Sequence, residues 1–249
     1  MSVTFDPETG HLRLDVEAFR VLVEHAERTA QQPTRPPTGG GSTPGDAVAR
    51  LVAGGVLVDG RPHPRLRETL TGVTASWGSV QVVVGDDEGV RLHHAWLGAT
   101  AVAVLTDRGD STFDLGPSHA TQLPGTLAAW VSLAAAPELA SATVTVPDVL
   151  LEELASHRPD LRRAAGRALA DALGPWPVAQ DRVRAGRWRL ATVDVALATG
   201  DQTLAQHVAW LDTGAGLLRA EAVERDVRLT PTTSADLQRD LATVVAAGG

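Results

Sequence analysis

Apolar residues recur along this chain at two spacings, and the switches between them lay out its elements. His11 to Leu14 alternates as a short extended piece. From Val16 the spacing becomes helical, with Val16, Phe19, Leu22, Val23 and Ala26 on one face and Asp15 placed as the N-cap. Short helices are predicted at about 46–53 and 64–73, the second carrying Leu66, Leu70 and Val73. Beyond Trp77 the period falls to two. Val80 to Val84, Val90 to Leu97, Thr100 to Leu105 and Thr112 to Leu115 are predicted strands, with turns at Asp86-Asp87-Glu88-Gly89 and Asp107-Arg108-Gly109-Asp110. Pro117-Ser118 is expected to open a helix that buries Leu123, Leu127, Trp130 and Val131.

The same succession then returns. After a short strand at Thr143 to Val146 and helices at about 147–156 and 160–173, strands are predicted at Trp188 to Ala198, Thr203 to Leu211, Gly216 to Ala222 and Val227 to Leu229. A last helix carries Leu237, Leu241 and Val245, and Thr233 with Asp236 forms a capping box at its start. Sliding the chain by 114 residues aligns His93–Val131 with His207–Val245 without a gap, and 11 of the 39 positions are identical. The matches include His93/His207, Trp96/Trp210 and Pro117/Pro231, where chance would give roughly four matches of commoner residues. The chain is therefore an internal duplication. The expected fold is α/β of the α+β type: pseudo-two-fold duplicated ββββα units forming a central, mainly antiparallel sheet flanked by helices. Residues 1–249 are expected to make a single domain of two related halves, about 1–140 and about 141–249. The Pro/Gly/Ser-rich stretch 31–45 is a flexible loop in the first half.

Composition narrows the chemistry. There is no cysteine, and all 22 basic residues are arginine. That excludes thiol catalysis, zinc–thiolate sites, Schiff-base lysines and the P-loop lysine. Isoleucine, asparagine and tyrosine are missing too, which reads as a GC-rich genome rather than a physical demand. A net charge of −8 without a basic patch argues against a nucleic-acid partner. The N-terminus lacks an apolar leader and the longest apolar run, Thr126–Ala136, is too short to span a bilayer. The expectation is a cytoplasmic protein with no membrane insertion, no cofactor and no metal site. His93 and His94 are neighbours on a strand and point to opposite faces, which suits structural roles better than joint ligation.

One stretch imitates catalysis. Ala209-Trp210-Leu211-Asp212-Thr213-Gly214-Ala215-Gly216 has the form of an aspartic-protease loop. That chemistry needs two carboxylates sharing a proton. In the gapless repeat the position equivalent to Asp212 is Gly98, and no second Asp-Thr-Gly or Asp-Ser-Gly exists. A homodimer joining two Asp212 is the alternative. The bland reading makes Asp212, Thr213 and Gly214 a tight turn between strands, and a non-enzyme is expected.

The C-terminal half resembles a known family. Arg184-Ala185-Gly186-Arg187-Trp188-Arg189-Leu190 is followed by Trp210-Leu211-Asp212-Thr213 and Gly216. Then come Val227-Arg228-Leu229-Thr230-Pro231 and a helix of Leu-x-x-x-Leu type. In that order they are similar to the EspG family, the cytosolic substrate chaperones of ESX (type VII) secretion systems of GC-rich actinobacteria. Leu14 to Phe19, Leu22 and the Pro-rich loop fit the same pattern in the N-terminal half. The resemblance implies a two-fold pseudo-symmetric α/β fold and a protein partner. That partner is the helical hairpin tip of an ESX substrate of PE/PPE or related type, kept soluble and delivered to the secretion machinery. A non-catalytic scaffold or immunity protein of the same fold is the other reading. The physical guess for the partner-binding surface is Arg187, Trp188 and Arg189, an aromatic flanked by two cations at a strand start.

Overall fold

A computed structural model describes residues 3–31, 45–199 and 202–246. Thirteen strands and eight α-helices occur among them. The first stretch holds β1 (Thr4–Phe5), β2 (Leu12–Asp15), α1 (Val16–Gln31), α2 (Asp46–Ala53), β3 (Leu57–Val58), β4 (Arg61–Pro62) and α3 (Arg67–Thr74). The first meander is β5 (Gly78–Asp86), β6 (Val90–Leu97), β7 (Val102–Asp107) and β8 (Thr112–Ser118), followed by α4 (Leu123–Trp130). Then come β9 (Val144–Pro147), α5 (Asp148–Leu154), α6 (Pro159–Ala172) and α7 (Pro177–Arg184). The second meander is β10 (Arg189–Thr199), β11 (Gln202–Asp212), β12 (Leu217–Val223) and β13 (Asp226–Thr232), followed by α8 (Ser234–Ala246). Eleven strands form one sheet in the order β1-β2-β8-β7-β6-β5-β10-β11-β12-β13-β9, with every described pairing in it antiparallel. The expected α+β fold, two ββββα runs building an antiparallel sheet with helices, is what forms. The Pro/Gly/Ser stretch lies almost wholly outside the described residues.

The chain divides into two compact units, one of residues 1–80 and 93–122, the other of 81–92 and 123–249. The tip of the β5–β6 hairpin and α4 belong to the second of these units. In the first unit, Leu12 and Leu14 of β2, Leu22 of α1, Leu51 of α2 and Leu115 of β8 form a fully buried core. Asp15 caps α1 as expected, its Oδ1 accepting the Ala18 N–H at 2.9 Å. In the second unit Leu154 of α5, Leu169 of α6, Leu211 of β11, Leu218 of β12 and Leu229 of β13 form the core. At the start of α8 the Thr233 hydroxyl oxygen accepts the Asp236 N–H at 3.1 Å and donates to Asp236 Oδ2 at 2.7 Å.

Pro117 does not open a helix. It lies inside β8, paired with Ala103, and the helix starts only at Leu123 after a 3-10 turn at Ala120–Gln122. The proline is tolerated because β2 pairs with β8 only over Thr112–Leu115, so on that side Pro117 needs no N–H. Pro231 repeats the arrangement in β13, beyond the Asp226–Leu229 reach of β9.

The two ββββα runs can be compared element by element, and their offset is not the constant one of the gapless alignment. β8 and β13 stand 114 residues apart. The preceding hairpins stand 115 apart: Leu97 pairs with Val102 around the turn Gly98–Ala101, and Asp212 pairs with Leu217 around the turn Thr213–Gly216. By position in the hairpin, Asp212 corresponds to Leu97, and Gly98 to Thr213. One residue is regained in the next turn, five residues separating the pair Asp107↔Phe113 and four the pair Ala222↔Val227. A slip of one reverses the face of every side chain in a strand. Trp96 accordingly stacks on Phe19 of α1 with centroids 5.8 Å apart, towards the helices that precede its meander. Trp210 shares a face with Arg219, its cross-strand neighbour, whose guanidinium pairs with Asp240 of the following helix α8.

The two histidines diverge likewise. His93 is buried and its Nδ1 accepts the Asp107 N–H at 3.1 Å, whereas His207 is exposed with Nδ1 2.7 Å from Asp194 Oδ1 on β10. His94 stacks on Trp96 at 4.2 Å, and its Nε2 is buried with no hydrogen-bond partner among the described residues. Burial pushes the His94 pKa below the ordinary imidazole value. The neutral ring is the folded form, so its contribution is fully present above about pH 6.5. It is lost as the pH falls, because the unfolded chain takes up the proton first. The urea midpoint of the wild-type chain should drop between about pH 7.5 and pH 5.5 more than that of His94→Phe. Equal drops in the two proteins would refute this.

Candidate functional site

The stretch Arg187-Trp188-Arg189 leaves the end of α7 along a path that local sequence dictates. Pro177 opens α7 at a position that needs no N–H donor. Gly186 closes it with φ +76°, the Gly186 N–H donating to Val183 O at 3.0 Å and the Arg187 N–H to Arg182 O at 2.9 Å. This Schellman arrangement uses glycine's freedom in the left-handed region to turn the chain sharply into β10. The helix was not foreseen from periodicity, yet Pro177 and Gly186 mark its two ends.

The three residues have different environments. Trp188 is 5% exposed and belongs to the core of the second unit. Its indole lies over α6 at Gly166, where an added Cβ would sit 3.1 Å from Nε1. Arg187 is exposed, and Arg189 half-buried with Nε out of reach of any acceptor. The tryptophan is therefore a wall fixed by packing, and only the arginines are available to a ligand as they stand.

Two clefts share Trp188 in their linings. One, of about 530 Å³, lies beside α6 and the end of α7, with Asp87, Arg163, Arg167, Arg184 and Trp188 in its lining. The other, of about 400 Å³, lies between the β5–β6 turn and the start of β10, and contains Asp86, Arg91, Arg187, Arg189 and Asp212. Asp87, Gly186 and Trp188 are common to both. The acidic turn is internally satisfied at its first residue: Asp86 Oδ1 accepts the Glu88 and Gly89 N–H groups at 3.0 Å each, and Oδ2 meets Arg91 at 2.5 Å. Arg184 is held by Asp171 at 3.1 Å and Asp181 at 3.6 Å. Arg158 donates to Asp160 and holds that carboxylate below its usual range. Among the described residues Arg167 and Arg187 have no carboxylate partner; the first cleft is lined by three arginines and two carboxylates, the second by three arginines and four carboxylates, so the guanidinium groups lie interleaved with acidic ones.

Asp212 is at the rim of the second cleft, and its carboxylate is occupied with the turn. Oδ1 accepts the Gly214 N–H at 2.8 Å, an Asx turn in which Gly214 takes φ +68°. The Thr213 side chain is fully buried, its hydroxyl donating to Gly216 O at 2.8 Å while its backbone N–H donates to the same oxygen at 3.0 Å. Asp212 Oδ1, the Thr213 hydroxyl and N–H, and the Gly214 N–H thus all serve to close the β11–β12 hairpin. Among the described residues no cluster of three histidines and carboxylates could hold a metal ion, and no helix is long and apolar enough to cross a membrane.

No protein-family model and no curated protein sequence matches the chain. Among solved structures it is similar to the chaperone EspG5 of the Mycobacterium tuberculosis type VII secretion system, determined in complex with the PE25–PPE41 dimer. The two superimpose with a TM-score of 0.57 at 12% identity, over 96% of this chain and 97% of the other. The likeness runs from end to end and establishes an EspG-like fold.

Proposed function

We propose that this chain is a cytoplasmic chaperone that binds the helical tip of type VII secretion substrates of PE/PPE or related type, keeps them soluble and delivers them to the secretion machinery. The observation that carries the reading is the end-to-end likeness to EspG5, a chaperone held in its solved structure by a PE–PPE pair. The sequence motifs from Arg184 to Pro231 point to the same family independently of the coordinates. The role asked of the Asp-Thr-Gly turn is scaffolding, in keeping with a protein that binds and does not cleave.

The docking surface in this reading is the pair of clefts around Arg187 and Arg189, with Trp188 as the fixed wall common to both. A helix tip presents the carbonyl end of one helix, and partial negative charge there is complemented by guanidinium groups.

Co-expression with a PE/PPE-type heterodimer should give a complex that co-elutes, and should raise the soluble fraction of the heterodimer. Arg187→Glu should weaken that complex at least tenfold, about 1.4 kcal/mol, with an unchanged melting temperature because the side chain is exposed. A chain that neither binds nor solubilises any such heterodimer overturns the chaperone reading. A complex indifferent to Arg187→Glu overturns only the placement of the surface.

A further inference from the structure

β11 is longer than the strand beside it. It pairs with β10 along its whole length from Gln202 to Asp212, but with β12 only over Ala209–Asp212. Beyond Ala209, β12 continues with β13 alone. Among the described residues Thr203–Val208 therefore have β10 on one side and no strand paired on the other. Thr203, Leu204, Ala205 and His207 are exposed, Leu204 by 39%.

Exposed strand edges invite pairing with another strand, and proteins blunt them with short strands, prolines and charges. The other edges of this sheet follow that rule. β1 has two residues, and β9 has four and ends in Pro147. The β11 edge has neither proline nor acidic or arginine side chain over Thr203–Val208.

We propose that this edge is a self-association surface, at which β11 of one copy adds antiparallel to β11 of a second copy across a two-fold axis at Ala205. The exposed run is self-complementary in that register: Thr203 faces His207, Leu204 faces Gln206, and Ala205 faces its own counterpart. No like charges oppose one another, and the smallest side chain sits on the axis, where two copies of one residue must fit. A two-fold pairing opposes each residue to its mirror position, and this run meets that demand with no acidic or arginine side chain and a small residue at the centre. The contact is narrow beside the roughly 1,600 Å² of a standard stable interface, and each copy carries a net charge of −8. The expected dimer is accordingly concentration-dependent and strengthened by salt. The inference is independent of the chaperone reading.

The absence of cysteine makes the test direct. Directly opposed residues of an antiparallel pair have Cα atoms about 4.5–5.5 Å apart, within disulfide range. Under mild oxidation Ala205→Cys should form a covalent dimer in high yield, whereas Val149→Cys, 50% exposed on α5, should remain mostly monomeric. In sedimentation, Ala205→Lys and Ala205→Glu should each weaken wild-type self-association at least tenfold, and an equimolar mixture of the two should restore it. Equal cross-linking at both cysteine positions overturns the proposal, as does self-association unaffected by the charged variants. A wild-type chain that stays monomeric, while a PE/PPE-type pair binds only with Ala205 intact, would assign the edge to cargo and overturn the second copy as its occupant.

Discussion

Trp188→Ala should lower the stability of the chain by about 3–5 kcal/mol, the cost of deleting a buried indole and leaving a cavity between α6 and the sheet. The magnitude follows from its setting: the ring is 5% exposed and packs in a core that includes Leu169, Leu190 and Leu211. Gly166 leaves the indole room on α6, so the helix cannot collapse onto the vacated space without bending its backbone. A urea or thermal melt followed by circular dichroism checks it, and a loss below about 1 kcal/mol would show that the ring is not part of the core. The comparison with Arg187→Glu separates packing from docking. The tryptophan variant should lose stability and the arginine variant should keep it.

The second large effect is expected at Gly216. A Cβ there would lie 2.5 Å from Leu139 Cγ and 2.9 Å from both Leu139 Cδ2 and Pro137 O. Leucine could move alone, but the carbonyl belongs to the segment leading to β9 and shifts only with its backbone. Gly216→Ala should therefore cost about 3 kcal/mol, at the upper end of overpacking effects. Thr213 shares the strain, since both of its hydrogen bonds end on the Gly216 carbonyl oxygen. Asp212→Asn should be far milder, because an asparagine Oδ1 can accept the same Gly214 N–H. A denaturant series on these variants checks the order. If Gly216→Ala were the milder of the two, the close approach to Leu139 and Pro137 would not hold in solution.

Much of the architecture was legible because burial writes its period into the residues. The strands of both meanders alternate or run apolar, Asp15 and Thr233 announce helix starts, and the order strand-strand-strand-strand-helix occurs twice. What stayed hidden depends on neighbours in space. Pro117 looks like a helix opener until β2 is seen to stop short of it. The one-residue slip between the hairpins cannot be seen in an alignment of identities, because two tryptophans match in sequence and face different helices. The open edge of β11 is a difference in length between two strands, on which periodicity is silent.

The candidate site was legible only in part. Arg187, Trp188 and Arg189 line a cleft; the sequence leaves the indole evenly between an interface and the core, and the structure buries it. Nothing local in the sequence reports that Gly166, 22 positions earlier, makes room for it. Arg163 and Arg167 escaped notice because they are ordinary solvent-facing residues of α6, and they become part of a site only through the turn at Gly186.

The slip between the duplicated hairpins also bears on how such a chain avoids confusing its own halves. Repeated strands can pair with the wrong counterpart while the chain is still searching. Here β6 seated in the place of β11, aligned by sequence likeness, would drive the turn one residue out of phase. Aligned by the turn, it would put Trp96 where Leu211 belongs. Neither exchange satisfies both the loop and the core, so a single residue of offset makes two similar hairpins non-interchangeable during folding.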